Sequence, residues 1–592
     1  MNRGGVIRAI DKDILMQEIA TEVVEGRDER YQFTWPNKRE AILAANAPLS
    51  KTLRPAREES VNFDETENLY IEGDNLEVLK LLQETYLGKI KMIYIDPPYN
   101  TGNDFIYRDD FKQSAADYDK DSGVYDDDGN RMFKNTDTNG RFHSDWCSMI
   151  YSRLLLARNL LTDDGVIFIS IDDNEYSTLK DLCDEIFGAE GFLATFVWKR
   201  RASSQMDKSK CSTDHEYVLA YKGKSFSALR GIDKDYKGYA NPDNDPRGPW
   251  TLGDLTVGMT GDMRPNQYYD LVDPKTGKVY KPNYNRVWSY IPESMNQLIA
   301  ENRIVFPEDI SKRPMKKRFA SELDTGTNPK STWMDSVGMN TEGTKQMYDL
   351  FGKAFFSYTK PISLVKDLIL QVASSSDIVL DFFSGSATTA HAVMDLNAED
   401  GGNRKYIMVQ LPEETDEKSE AYKAGYKTIC DIGKERIRRA GQKILEENKD
   451  KENIKDLDIG FRVLKTDSTN MKDVYYAPDM TEQGFLDSLE NNIKENRSPE
   501  DLLFQVMLDL GIPLSAGIQV ETMGGKDVFV VEEGFLIACF DGDMGEDVVK
   551  AIAEKRPYYA VFRDASMAGD SVATNFDQIF ESISPETVRR VL

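Results

Sequence analysis

The sequence predicts an α/β fold, a doubly wound sheet interrupted by an insert and followed by a smaller α+β domain. The first observation is that short runs of β-branched and apolar residues alternate with segments of helical apolar spacing, as in a largely parallel sheet. The second is that two such runs, 90–95 and 378–380, end directly at an aspartate followed by a turn. Ligands bind beyond the carboxyl ends of strands in these sheets, so we expect both ends to form one site.

The predicted elements alternate along both halves of the core. Strands are expected at 68–72, 90–95, 166–171, 377–381 and 404–410, where apolar or β-branched residues run up to a turn. Helices are expected at 76–82, 146–161, 179–187, 361–372, 388–396 and 431–447, where apolar residues recur with helical spacing. The polar stretch 103–142 is expected to be a loop or flap.

Changes in composition divide the 592 residues into five predicted regions, since this length exceeds one hydrophobic core. A helical arm (1–55) ends in a loop at Pro48 and Pro55. The other regions are the first half of the core (56–200), an insert dense in Gly, Pro, Asn and aromatic residues (201–345), the second half of the core (346–470) and a C-terminal α+β domain (471–592).

Charge and cysteine usage limit the classes of protein. The net charge of −27 argues against a uniformly basic nucleic-acid binder, because phosphate contacts need Lys and Arg. Residues 196–320 nevertheless hold 22 basic against 15 acidic side chains, whereas the rest of the chain holds 52 against 86. The five cysteines are scattered without a C-x-x-C pair, so no metal site is expected. No apolar run is long enough for a membrane span, and a reduced, bacterial-type cytoplasmic protein is expected.

The first motif is Asp96-Pro97-Pro98-Tyr99, directly after the apolar strand 90–95. The prolines fix φ and lack N–H groups, which leaves carbonyls exposed on a rigid turn. A carboxylate and a carbonyl can accept both protons of an exocyclic amine on a flat ring, while that ring stacks on Tyr99. Holding the amine in line with an electrophilic methyl group would supply much of the catalysis.

The second motif is 381–389, Asp-Phe-Phe-Ser-Gly-Ser-Ala-Thr-Thr, which follows the strand 378–380 and opens a helix. Small residues allow a ligand close to the backbone, and a helix N-terminus favours a carboxylate. No G-x-G-x-x-G or Walker lysine is present, so a nucleoside with an amino-acid tail fits better than a pyrophosphate.

Together, the two motifs resemble the signature pair of the DNA amino-methyltransferases. The catalytic motif comes first and the second follows 285 residues later with a large insert between, an order similar to the β class. Segments around Asn100, His143, Leu160, Ser170, His215 and Lys360 resemble the modification subunits of type III restriction systems. The resemblance covers about residues 60–230 and 350–460. It implies a circularly permuted, Rossmann-like class I methyltransferase domain with an inserted target-recognition domain.

The resemblance implies roles for matching positions. Asp96, Pro97, Pro98 and Tyr99 would hold a flipped adenine. The residues expected to line the S-adenosyl-L-methionine pocket are Asp74, Asn75, Asp96, Tyr358, Lys360, Pro361, Asp381, Phe382, Phe383, Gly385, Ser386, Thr388 and Gln410. Two positions depart from the family pattern: Ala387 stands where many relatives have Gly, and Gln410 where many place an acid for the ribose, a role that Glu413 or Glu414 could fill instead.

The implied substrate is double-stranded DNA, from which the target base must be flipped out of the stack. Candidate phosphate contacts are the basic runs Lys199, Arg200, Arg201 and Lys312, Arg313, Lys316, Lys317, Arg318. The resemblance also implies a homodimer and a restriction (helicase–nuclease) subunit as partner.

The expected reaction is methyl transfer to adenine N6 in a short DNA sequence. An N4-cytosine methyltransferase would share the geometry, although many such enzymes carry Ser at the position of Asp96. Two further hypotheses belong to different classes of protein. One is a non-catalytic DNA-recognition scaffold for a restriction helicase–nuclease, which the intact motifs disfavour. The second is an RNA or protein amine methyltransferase, which the large insert disfavours.

Overall fold

The computed structural model describes residues 33–102, 105–107, 132–134, 142–204, 211–234, 236–322, 327–353, 355–356, 359–472, 493–542, 544–563 and 570–592. Most of the predicted N-terminal arm, most of the predicted flap at 103–142, and Tyr358 lie outside these residues. The chain forms two compact units, one of Met1–Ala228 with Ser331–Leu592 and the other of Leu229–Lys330.

Strands and helices are numbered in chain order. The strands are β1 Lys51–Pro55, β2 Leu69–Glu72, β3 Ile90–Ile95, β4 Phe105–Tyr107, β5 Met132–Lys134, β6 Leu161–Ile171, β7 Phe192–Lys199, β8 His215–Lys222, β9 Trp250–Gly253, β10 Leu271–Val272, β11 Val279–Tyr280, β12 Ile304–Val305, β13 Met315–Phe319, β14 Trp333–Met334, β15 Ile378–Asp381, β16 Lys405–Gln410, β17 Arg462–Ser468, β18 Ile518–Met523, β19 Lys526–Val531, β20 Leu536–Cys539, β21 Tyr559–Phe562 and β22 Val588–Val591. The helices are α1 Lys38–Asn46, α2 Asn75–Tyr86, α3 Phe142–Leu160, α4 Tyr176–Phe187, α5 Pro292–Ala300, α6 Asn340–Phe351, α7 Ile362–Val372, α8 Thr388–Asp400, α9 Glu420–Lys423, α10 Ile429–Glu447, α11 Pro499–Asp509, α12 Glu546–Glu554 and α13 Asp570–Ile583.

A large mixed sheet organises the first unit, in the order β1-β17-β2-β16-β15-β3-β6-β8-β7-β14. The six strands from β17 to β6 are mutually parallel, whereas β8 runs antiparallel to both of its neighbours. The predicted α/β class with a largely parallel core is confirmed. Strand β15, from the second half of the chain, lies between β16 and β3, which places the two sequence motifs side by side.

Both faces of this sheet are covered. Ile93 and Ile95 join a core that also contains residues of α2, α3, α4 and α11. Their neighbours Met92 and Tyr94 point to the other face and are equally buried. On that side α7 packs on α8 and α8 packs on α10. Burial on both faces explains why these strands are continuous apolar runs instead of alternating patterns.

The main sheet also contains strands at positions for which no individual strand was predicted, namely β1, β7, β8, β14 and β17. Strand β1 occupies the expected loop, and its terminal Pro55 is tolerated because β1 is the edge strand of the sheet. Strand β8 falls within the predicted insert but sits between β6 and β7 in the main sheet. The compact unit Leu229–Lys330 is therefore narrower than the composition boundary 201–345 suggests.

The unit Leu229–Lys330 has its own small core. Strands β12, β13 and β9 form a three-stranded sheet, and β10 pairs with β11. Leu255, Trp288 and Met295 are buried together with Tyr280. The backbones of Ile232 and Asn328 are hydrogen-bonded to each other in both directions at 2.8 Å, so the two ends of the unit lie side by side.

The C-terminal region forms the expected α+β structure. Strands β18 to β22 make one sheet in sequence order, with α12 and α13 packed on each other. A second core of apolar residues from this sheet and these helices lies between them. Among the described residues no helix has the length and apolar character needed to cross a membrane.

Candidate active site

The catalytic motif leaves the sheet at the carboxyl end of β3. Leu380 of β15 pairs with Ile93 of β3, so Asp381 and Asp96 emerge from the same edge on neighbouring parallel strands. This arrangement follows from the insertion of β15 beside β3. The two motifs, which are far apart in sequence, are thereby brought together as the sequence predicts.

The proline turn is held rigidly by two buried contacts. The indole N–H of Trp146 donates to the carbonyl of Pro98 at 2.7 Å. Asn100, which has a left-handed φ of 60°, donates from its side-chain amide to the fully buried Glu175 at 2.6 Å. Within the described part of the chain, the carbonyl of Pro97 accepts no hydrogen bond. Of the two proline carbonyls, that of Pro97 is therefore the one left for a ligand.

Lys360 lies on the catalytic motif. Its ammonium nitrogen is 2.8 Å from each carboxylate oxygen of Asp96 and 2.8 Å from the hydroxyl of Tyr99. Burial disfavours the charged lysine, but the carboxylates of Asp96 and Glu216 outweigh it and raise the pKa of Lys360 above its ordinary value. The side chain therefore remains an ammonium ion. Any ligand that donates to Asp96 must share its carboxylate with Lys360.

Glu216 of β8 completes this cluster and was not assigned a role from the sequence. Its carboxylate is 3.4 Å from the Lys360 ammonium, 3.2 Å from the Tyr99 hydroxyl and 2.9 Å from Arg200. Burial alone would raise the pKa of Glu216, but the charges of Lys360 and Arg200 lower it below its ordinary value. The available signal was an acidic residue in an otherwise apolar strand, which indicates a buried and paired carboxylate.

The loop between β15 and α8 is the predicted cofactor loop. Asp381 is buried and accepts hydrogen bonds from the Thr389 hydroxyl at 2.6 Å and the Phe383 amide at 3.1 Å. Burial raises the pKa of Asp381 to about 7, against the effect of those hydrogen bonds. Gly385 and Ala387 both have a left-handed φ, of 50° and 60°. Ala387 thus adopts a left-handed conformation that favours glycine, at a cost of about 1–2 kcal/mol.

Three other predicted cofactor residues support the loop. Gln410 accepts the Gly385 amide at 2.7 Å, which occupies the side-chain oxygen expected to reach a ribose. Asn75 donates to the carbonyl of Phe382 at 2.8 Å. Asp74 caps helix α2 through the amide of Leu76 at 2.9 Å. These side chains tie the ends of β2, β15 and β16 together. Pro361 is buried at the N-terminus of α7, and Phe382, Ser386 and Thr388 are buried in the loop.

Helix α10 packs against the back of the cofactor loop. A side chain at Gly433 would come within 2.7 Å of the Tyr70 hydroxyl and 3.3 Å of the Gly385 carbonyl, so only glycine fits there. One turn further on, the fully buried Arg436 donates from one terminal nitrogen to the hydroxyls of Ser386 at 2.9 Å and Thr388 at 2.7 Å. Arg436 was missed because it was counted as part of a charged helix, although it lies on the face that carries Gly433, Ile437 and Ala440.

The predicted phosphate contacts separate into two groups. Arg200 pairs with Glu216 and Arg201 with Asp214, both in the first unit, and Lys317 is buried against Asp243 and Asp245 in the second. The structure argues against Lys317 as a phosphate contact, because its buried ammonium group is already paired with two carboxylates. Arg200 belongs to the cluster around Asp96. Lys316 donates to the hydroxyl of Tyr290. The exposed candidates are Lys199, Lys312, Arg313 and Arg318.

The comparison with family models places the chain in a known class. Residues 90–421, more than half of the chain, match the model described as a DNA methylase of the N6/N4 type. The chain belongs to this family of DNA methyltransferases, whose methyl donor is S-adenosyl-L-methionine.

The relatives identify a narrower group. The chain is 40% identical to the Mod subunit of the type III restriction-modification enzyme StyLTI of Salmonella typhimurium, over 67% of this chain and 59% of that subunit. It is 34% identical to the EcoP15I Mod subunit of Escherichia coli, with coverage of 74% and 73%, and 35% identical to the EcoPI Mod subunit of Escherichia phage P1, with coverage of 77% and 74%. The match thus spans less than two thirds of the StyLTI subunit.

The residues present fit this methyl donor. A Cβ added at Gly385 would find its nearest atom, in Phe356, at 3.5 Å, so the turn leaves room for a ligand against the backbone. The N-terminal amides of α8 and the carboxyl of Asp381 supply groups for an amino-acid tail, which carries both an anion and a cation. When bound, the donor supplies a methyl group on a positively charged sulfur.

Proposed function

We propose that this chain methylates adenine at N6 within a short sequence of double-stranded DNA, as the modification subunit of a type III restriction-modification system. The observation that carries the proposal is the pair of acceptors on the catalytic turn, the carboxylate of Asp96 and the unoccupied carbonyl of Pro97. Among the described residues no group donates to that carbonyl, and both acceptors lie beside the loop that fits S-adenosyl-L-methionine.

Two hydrogen-bond acceptors on one turn suit a group with two protons to donate, such as an amine. An exocyclic amino group donates one hydrogen bond to the carboxylate of Asp96 and the other to the carbonyl of Pro97. The lone pair of its nitrogen is then directed away from both acceptors. The half-buried ring of Tyr99 offers a face for the base, and such stacking contributes about 1–3 kcal/mol toward the cost of flipping. Because the turn is braced by Trp146 and Asn100, the amine is held without rearrangement of the backbone.

Lys360 holds the side chain of Asp96 in place on the catalytic turn. In the structure it bonds to both oxygens of Asp96, one of which an incoming amine requires. Glu216, 3.4 Å from the same ammonium, provides a second anion toward which Lys360 turns as the amine enters. The charge of the lysine thus stays paired throughout.

The insert is proposed to read the DNA sequence. The unit Leu229–Lys330 is compact, carries the exposed basic residues Lys312, Arg313 and Arg318, and interrupts the chain between the two halves of the site. Basic side chains provide phosphate contacts, and base recognition needs polar side chains in a groove.

The proposed partners and location are supported in part by the names of the relatives. The Mod subunits are by name parts of larger restriction-modification enzymes. We accordingly propose a restriction (helicase–nuclease) subunit and a second copy of this chain as partners, and a cytoplasmic location.

The proposal is tested by incubating the protein with labelled S-adenosyl-L-methionine and unmethylated genomic DNA, followed by sequencing for modified bases. N6-methyladenine at one short motif supports it. N4-methylcytosine at one motif would establish the alternative base, and cofactor binding without any transfer would establish the non-catalytic scaffold. Asp96→Ala is the matched variant, expected to abolish transfer while retaining cofactor binding.

A further inference from the structure

The buried arginine behind the cofactor loop, Arg436, has no counter-charge among the residues that the structure describes. Arg436 has no solvent exposure, and within the described part of the chain no carboxylate pairs with it. Two of its three guanidinium nitrogens, Nε and Nη2, have no hydrogen-bond partner there either. An uncompensated buried charge costs several kcal/mol, so a fold that keeps one has a use for its positive potential.

The positive charge of Arg436 lies against the N-terminus of α8. Its third nitrogen, Nη1, donates to the hydroxyls of Ser386 and Thr388 and to the carbonyl of Ser386 at 3.3 Å. A cation at a helix N-terminus is unfavourable by itself, because the free amides there already make that end positive. Both features favour the binding of an anion at this turn.

The hydroxyl of Ser386 is oriented by the same contact. Its oxygen accepts from Arg436, and its proton has no acceptor among the described residues. An O–H group whose oxygen accepts from a cation becomes a better donor, since hydrogen bonds in a chain polarise one another. The hydroxyl of Thr388, by contrast, donates weakly to the Lys360 carbonyl at 3.4 Å.

We propose that Arg436 is a positioning residue that makes the turn Ser386–Thr388 selective for the carboxylate of the cofactor's amino-acid tail, by orienting the Ser386 hydroxyl as a donor and by supplying positive potential from beneath the loop. This inference deepens the proposed function and rests on the use of S-adenosyl-L-methionine. It gives the cofactor loop a specificity for the anionic end of the ligand that the loop sequence alone does not have.

The test compares two ligands that differ only in the carboxylate. S-Adenosyl-L-homocysteine and its decarboxylated form, S-adenosyl-3-thiopropylamine, are titrated into the full chain by calorimetry. In the wild type the carboxylate form binds more tightly. Arg436→Met is expected to narrow the ratio of the two Kd values by roughly ten- to a hundredfold, the range for hydrogen bonds to charged groups. Arg439→Met, one turn along the same helix and paired with Glu435, should leave the ratio unchanged.

An unchanged ratio in Arg436→Met, even with both ligands weakened equally, would overturn the proposal and leave Arg436 a packing residue. Should that variant fail to fold, Ser386→Ala decides, because it removes only the oriented donor and must also narrow the ratio. Neither measurement involves DNA or methyl transfer. A failure of adenine methylation would therefore appear in the sequencing assay alone and is distinguishable from a failure here.

Discussion

At the residue scale, the site contains buried charged side chains that are paired with one another. Asp96, Lys360, Tyr99 and Glu216 form a single cluster in which each side chain contacts at least two others. Among the described residues, the donors to the carboxyl group of Asp381, on the neighbouring strand, are neutral. Neighbouring carboxyl groups therefore differ in environment, and each can be tested separately.

Removal of Lys360 should lower the rate of methyl transfer more than removal of Lys366, a lysine that is paired in a similar way elsewhere. Lys360→Met leaves the carboxylates of Asp96 and Glu216 without their shared cation, so kcat/KM for DNA is expected to fall by roughly ten- to a hundredfold. Lys366, on α7, also pairs with two carboxylates, Asp395 and Glu399, but away from the site. Steady-state methyl transfer by Lys366→Met should match the wild type, and equal losses in both variants would refute the role given to Lys360.

The raised pKa of Asp381 predicts how stability changes with pH. Burial raises the pKa of this carboxyl from its ordinary value near 3.8 to about 7 in the folded chain. Between these two values the unfolded state releases the proton and the folded state keeps it, so stability falls as pH rises. Relative to Asp381→Asn, the free energy of unfolding of the wild type is expected to drop by about 1.4 kcal/mol per pH unit from pH 4 to 7.

Thermal unfolding without ligand, measured across this pH range, checks that slope. Asp400 provides the opposite case, because Arg404 overcomes the effect of burial and lowers the pKa of Asp400. Asp400→Asn should therefore destabilise at neutral pH, with an effect that vanishes as the pH falls through the lowered pKa. Parallel pH curves for the wild type and Asp381→Asn would contradict the assignment.

At the element scale, helix α10 determines the shape of the cofactor loop. Gly433→Ala would improve helix propensity by up to about 1 kcal/mol, but its methyl group would meet the Tyr70 hydroxyl and the Gly385 carbonyl. Overpacking of this kind costs about 1–3 kcal/mol and would displace the helix from the loop. We expect weaker binding of S-adenosyl-L-homocysteine by calorimetry together with a lower melting temperature.

Gly441→Ala, two turns along α10, is the matched control. Its methyl group would meet Ile459, remote from the cofactor loop, so the melting temperature should fall while the affinity for S-adenosyl-L-homocysteine stays within about threefold. If both glycine variants lose affinity equally, the helix acts through global stability and not through the loop.

The sequence predicts the central elements well because they are buried on both faces. The predicted strands at 90–95 and 377–381 agree closely with β3 and β15, and the predicted helix at 361–372 agrees with α7. Strand β8 was missed because it follows a loop-rich segment and contains Glu216, which masks its apolar character. That carboxylate is paired with Arg200 and with Lys360, and the contact with Lys360, from a distant part of the chain, is one that no local pattern reveals.

The candidate site divides in the same way into local and tertiary features. The two motifs predict the position of the acceptor pair and the cofactor loop because each follows a strand directly. The side chains behind the loop, Arg436 and Gln410, act through tertiary contacts, and their bonding depends on which helix or strand lies next to β15. No local pattern in the sequence could therefore have predicted what these two side chains contact.

At the scale of the whole molecule, the compact unit Leu229–Lys330 can be removed because its two ends lie side by side. Because Ile232 and Asn328 are hydrogen-bonded to each other, a short Gly-Ser linker can replace the residues between them without stretching the chain. The shortened protein is expected to bind S-adenosyl-L-homocysteine within about threefold of the wild type but to methylate no specific sequence. Site-specific methylation that survives the deletion would place sequence recognition elsewhere in the chain.

The position of β15 between β16 and β3 also has a consequence for synthesis on the ribosome. Strand β3 is complete at residue 95, but the partner that covers its inner edge begins at residue 378. At about 5–20 residues per second, roughly 15–60 seconds pass before that edge is paired. During this interval the nascent chain carries an open, apolar strand edge, the kind of surface that chaperones protect. The order of the two motifs along the chain thus leaves this edge of β3 open to pairing with other chains during translation.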